Sequence, residues 1–162
     1  MIEVSCYLGS ILLANWLVIT YHLIGSGQEI MPWLPITFPA GAVVIGLTFS
    51  ARDFVQRRHG HAWTWVWMIV ATIITVLFNR RIAIASGGAF LLAEAIDYLI
   101  YTITKRPFTQ RIILSNLIGT PVDSAAFVIL AFGWNWSAIW GQTLVKFASS
   151  LLVIPFIRKR NE

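Results

Sequence analysis

Residues 82–104 read IAIASGGAFLLAEAIDYLIYTIT. Coiled as an α-helix at about 1.5 Å per residue, the stretch is roughly 34 Å long, enough to cross a hydrocarbon core of about 30 Å. From Ile82 to Ala93 it carries no charge, and Glu94 and Asp97 then fall near mid-depth. With Phe90 and Tyr101 they occupy the i, i+4, i+7, i+11 positions of one helical face, and Tyr98 lies beside them. Ionisable groups inside a span are costly, so such a stripe marks a functional face turned toward a protein interior.

Five more apolar runs flank this one, at 4–24, 35–51, 62–78, 112–133 and 136–157, separated by charged or Gly/Pro-containing breaks. They predict an all-α integral membrane protein, a bundle of six transmembrane helices in one domain over residues 1–162. The composition agrees. The chain of 162 residues is 57% hydrophobic and 12% charged, with a mean hydropathy of +0.74, whereas a soluble domain carries about 25% charged residues. Met1-Ile2-Glu3-Val4 lacks the basic start of a signal peptide, and its apolar run continues to spanning length, so it is read as the first helix. The net charge of +5 is read as cytoplasmic loops rather than a nucleic-acid surface. Three Lys or Arg fall in each of 52–61, 105–111 and 158–160, against two in 79–81. The positive-inside rule therefore places both termini in the cytoplasm.

Two other helices carry polar groups at similar depth. Asn116, Gly119, Asp123 and Phe127 share a face of the fifth run, and Gln142, Lys146 and Ser149 form a stripe on the sixth. Three polar stripes at one depth describe a hydrated cavity inside a bundle. Lys146 pairing with Asp123 or Asp97, with Asn116 and Gln142 as interhelical hydrogen-bond partners, is the purely structural alternative. It neutralises one carboxylate of three, so the others are protonated or meet a donor from a ligand, a proton or a coupling cation.

The run Pro32-Trp33-Leu34-Pro35-Ile36-Thr37-Phe38-Pro39 interrupts the pattern. Proline cannot donate to the helix ladder, so the second helix either starts near Pro35 and bends at Pro39 or enters as a non-helical segment. Irregular backbone at membrane depth survives only when buried in protein or lining a cavity. Arg80 and Arg81 lie on the less basic side, where they reach lipid phosphates or, for Arg81, cap an outward-facing cavity. Trp63, Trp65 and Trp67 at one face, and Trp134, Trp136 and Trp140 at the other, read as interfacial belts. Ala85, Ala89 and Ala93 form a small-xxx-small row suited to close helix approach. Cys6 stands alone, and His22, His59 and His61 lie outside the mid-depth set. Neither a phosphate-binding loop nor a GxSxG elbow occurs, which argues against an enzyme and calls for no cofactor or metal.

Several of these segments resemble the queuosine-precursor transporters, also called the vitamin-uptake-transporter family. They are Phe38-Pro39 with Leu47-Thr48-Phe49 and Asp53; Arg81-Ile82-Ala83-Ile84-Ala85-Ser86 with Ala89-Phe90-Leu91, Glu94 and Asp97; Asn116, Gly119, Asp123, Ser124 and Phe127; and Lys146 with Pro155. The resemblance covers roughly residues 36–156. It implies a six-helix bundle similar to the substrate-binding subunits of energy-coupling-factor transporters, moving 7-deazaguanine bases such as preQ0 and preQ1 across the bacterial inner membrane without an ATPase. It further implies Glu94 or Asp123 as acceptor for the guanine-like edge, Asn116 or Gln142 at its carbonyl, and Phe38, Phe90 or Tyr101 stacking on the base. Two other functions fit the same residues: a substrate-capture subunit that docks a partner through the small-residue row, and a membrane interaction or pore protein that carries no substrate. Oligomeric state is open.

Overall fold

A computed structural model describes residues 2–29, 31–104 and 108–152, less the side chains of some helical positions. Six helices run in chain order: α1 Ile2–Tyr21, α2 Ala42–His59, α3 His61–Phe78, α4 Arg80–Thr104, α5 Phe108–Phe132 and α6 Trp136–Leu151. Between α1 and α2 lies an antiparallel pair of short strands, β1 Leu23–Gly25 and β2 Thr37–Pro39. By length and apolar composition one described helix, over Val4–Tyr21, suffices to cross a bilayer, and Ala62–Phe78 and Leu117–Phe132 are shorter apolar stretches.

Polarity is distributed inside out. Large apolar side chains stand exposed on each helix, among them Leu13, Leu47, Leu77, Leu92, Leu117 and Leu144. Asn15, Thr48, Thr120, Asp123, Gln142, Lys146 and Ser149 are buried. Water-soluble monomers rarely expose apolar surface on this scale, and a lipid environment requires it. Trp63, Trp134, Trp136 and Trp140 stand at the exposed helix ends where belts were expected, while Trp65 and Trp67 are half-buried.

The second helix departs from the expected 35–51 at both ends. Residues 35–41 are non-helical, the second of the two arrangements that the prolines allow. Their polar backbone is satisfied by the strand pairing, in which Leu23, Ile24 and Gly25 face Pro39, Phe38 and Thr37. Ser26 N–H donates to the Ile36 carbonyl at 3.1 Å, Thr37 Oγ1 to the Ser26 carbonyl at 2.7 Å, and Ala40 N–H to the His22 carbonyl at 2.9 Å. At its far end α2 continues through the charged segment taken for a loop and stops at His59, before Gly60 at φ +88°. Arg52 is buried, with its guanidinium 5.6 Å from the Phe49 ring centroid. The charges at 52–58 do not break the helix, since a long basic side chain can lay its apolar stem on the protein and leave its head free to find a partner.

The hairpin lies on α6, and Gly141 permits it: a Cβ there would overlap the Thr37 carbonyl oxygen. Gly46 does the same for α2 against α6, where a Cβ would collide with the Lys146 carbonyl and the Ser149 hydroxyl. Ala85 and Ala89 are buried in a cluster with Val18, Ile82, Phe127, Val128 and Ile139, and Ala93 is buried as well. The row of Ala85, Ala89 and Ala93 therefore packs inward.

Candidate functional site

The six helices and β2 enclose a cavity of about 40 Å³. Its walls are Asn15 of α1, Pro39 of β2, Gly41, Thr48 and Phe49 of the α2 region, Met68 and Thr72 of α3, Ser86, Ala89 and Phe90 of α4, Asp123 and Phe127 of α5, and Gln142 and Lys146 of α6. Four of the expected site residues, Phe90, Asp123, Gln142 and Lys146, thus meet here. Lys146 Nζ donates to Asp123 Oδ2 and lies 5.7 Å from the Phe127 ring centroid. Lys146 is 1% exposed and Asp123 4%. Pairing offsets part of the cost of burying two ions this deep, and the ring face adds a cation–π contact.

The hydroxyls around the pair are mostly engaged. Thr48 donates to the Val44 carbonyl at 2.8 Å and Thr72 to the Met68 carbonyl at 2.9 Å, each one turn back along its own helix. Phe90 packs against Tyr7, with ring centroids 6.5 Å apart. Asn15 Nδ2 donates to Thr75 Oγ1 at 3.1 Å, which ties α1 to α3 beside the cavity.

Two expected residues are placed elsewhere. Arg81 is exposed and does not line this cavity; its Nε–H donates to the Leu130 carbonyl at 3.3 Å. That carbonyl belongs to the last turn of α5, which lacks helical donors, so Arg81 caps the end of α5. Phe38 is buried in β2 opposite Ile24, and its neighbour Pro39 supplies the cavity wall. Glu94, Asp97 and Tyr101 lie in α4 and Asn116 in α5, but their side chains fall outside the described residues. Phe127 lies on the expected face of α5 and Thr48 and Ser86 come from the segments that carry the resemblance, whereas Asn15 joins the site without having been singled out for it. Asn15 had a signal, since it is the one amide in the apolar run 4–24, and buried amides mark helix contacts.

An apolar exterior around a buried polar centre walled by all six helices is the arrangement of a helical membrane protein with an internal cavity. Residues 70–159 match the model of a family described as "Putative vitamin uptake transporter", and the chain belongs to that family, whose role is membrane transport. The match takes in α4, α5 and α6, with Asp123, Gln142 and Lys146. No curated protein and no solved structure matches the chain.

Proposed function

We propose that this transporter imports 7-deazaguanine precursors of queuosine, preQ0- or preQ1-like bases, across the bacterial inner membrane. In this reading all six helices span the bilayer and both termini lie in the cytoplasm. The observation that carries it is the Asp123–Lys146 pair on the wall of an internal cavity, beside two carboxamides, Asn15 and Gln142, and three phenylalanine rings, Phe49, Phe90 and Phe127. A planar base with polar edges needs these elements: aromatic faces to stack on and fixed polar groups to orient it.

The cavity of about 40 Å³ holds a few waters, each needing about 10–15 Å³. A bicyclic base therefore enters only when the walls part, and the closed bundle is one state of a transport cycle. The hairpin wall, held to α6 by close contact at Gly141, is the element whose displacement would open it. A coupling proton or cation belongs to the same reading, through the carboxylates of α4.

The test is uptake in a bacterium that lacks queuosine synthesis and its own importer. Expression should restore queuosine in tRNA at low external precursor, with saturable and competable uptake, and Asp123→Asn and Glu94→Gln should each abolish rescue while the protein still inserts. Failure of the unmodified chain to rescue overturns the substrate assignment. Uptake that does not saturate would indicate a pore. Rescue only alongside a copurifying coupling protein would make it a capture subunit.

A further inference from the structure

Gln142 is 2% exposed and lines the cavity, and its Oε1 has no hydrogen-bond partner. A buried acceptor without a donor is costly, and in native structures it has a reason, such as a ligand, an ion or a water that it meets in use. The carboxylate expected to accept the substrate, Asp123, is already engaged by Lys146. Among the described cavity residues, the fully buried side-chain atom left without a partner is thus the amide oxygen of Gln142 on α6.

An amide differs from a carboxylate in what it matches. Its oxygen accepts and its nitrogen donates, side by side in one plane. The complement is a planar ring edge with an N–H next to a carbonyl, bound through two parallel hydrogen bonds as glutamine binds a base edge. The neighbouring Gly141 seats the Thr37 carbonyl, which fixes this turn of α6 and the direction from which Gln142 enters the cavity.

We propose that Gln142 reads the lactam edge of the substrate. Its Oε1 accepts the ring N–H and its Nε2 donates to the adjacent carbonyl, while Asp123 and Lys146 stay closed on each other as a positioning pair. The inference rests on the deazaguanine reading above.

Isothermal titration of purified protein with preQ0 and with its N1-methyl derivative, which lacks the donor, tests it. The unmodified protein should bind preQ0 about ten- to a hundredfold more tightly than the methylated base. Gln142→Met should weaken preQ0 binding about tenfold and lose most of that discrimination, because the bidentate contact is gone. Gln142→Glu, which keeps an acceptor, should retain preference for the N–H form. Equal binding of both ligands by the unmodified protein, or undiminished discrimination in Gln142→Met, overturns the role of Gln142 and leaves the transport assignment standing. Binding of neither ligand by the unmodified protein overturns both.

Discussion

Lys146 sits about ten residues into α6 with its ammonium on Asp123 and beside the ring of Phe127. Removing one ion from a buried pair strands the other, which costs about 3–5 kcal/mol, whereas replacing both by apolar groups is often neutral. Lys146→Met alone should therefore lower the stability of the detergent-solubilised protein by about that amount, and Lys146→Met with Asp123→Leu should recover most of it, as read from unfolding curves. Persistent loss in the double variant would mean that the pair does more for the fold than neutralise itself. Asn15→Leu should cost about 1 kcal/mol, the usual worth of one hydrogen bond, because Thr75 keeps its own bond to the Ala71 carbonyl. At this scale the sequence is legible where a charge interrupts an apolar run, as at Asp123 and Lys146. It is silent on pairing, since the choice of Asp123 over Asp97 depends on how α5 and α6 meet. Arg81 shows the same limit: its charge was visible, but its target is a carbonyl, and every residue has one.

Among the elements, the hairpin and α2 carry the main lesson. Prolines at 32, 35 and 39 rule out a regular helix, yet nothing local says that β2 will pair with residues 23–25 and rest on α6. The far end of α2 misleads in the other direction, because Arg52, Arg57 and Arg58 look like a loop while the backbone remains helical through His59. Hydropathy locates where a chain is apolar, which differs from where it is helical. The other helices, whose breaks coincide with Gly60, Asn79 and Gly133-Trp134-Asn135, begin and end within a few residues of expectation, save that the expected end of the sixth at 157 lies outside the described residues. The close contact at Gly141 can be tested. Gly141→Val should force β2 away from α6, destabilise the protein by about 1–3 kcal/mol or more as overpacking does, and abolish uptake. Gly9→Ala, at a position with open space around it, should stay within about 0.5 kcal/mol. Comparable melting temperatures for the two variants would remove the argument that the hairpin is held by contact.

For the whole molecule, the inverted distribution of polarity and the basic-residue count combine into a statement about sidedness. In a Cys6→Ser background, Trp33→Cys should react with a membrane-impermeant maleimide added to intact cells, since Trp33 is exposed beside the hairpin. His59→Cys should react only after permeabilisation. The reverse pattern would invert the orientation and turn the proposed importer's cavity the other way. Thr37 and Gly141, which touch, are about a hundred residues apart in the chain, and domains form from the N-terminus as synthesis proceeds. The hairpin is thus made early, but the surface that receives it is made last. Until α6 arrives, β2 lacks its main partner besides β1, so the early helices wait for the final one to complete the wall. A chain stopped before α6 would lack Gln142 and Lys146 and would also leave the hairpin with nothing to rest on, which makes closure of the cavity the last step of assembly as well as a step of transport.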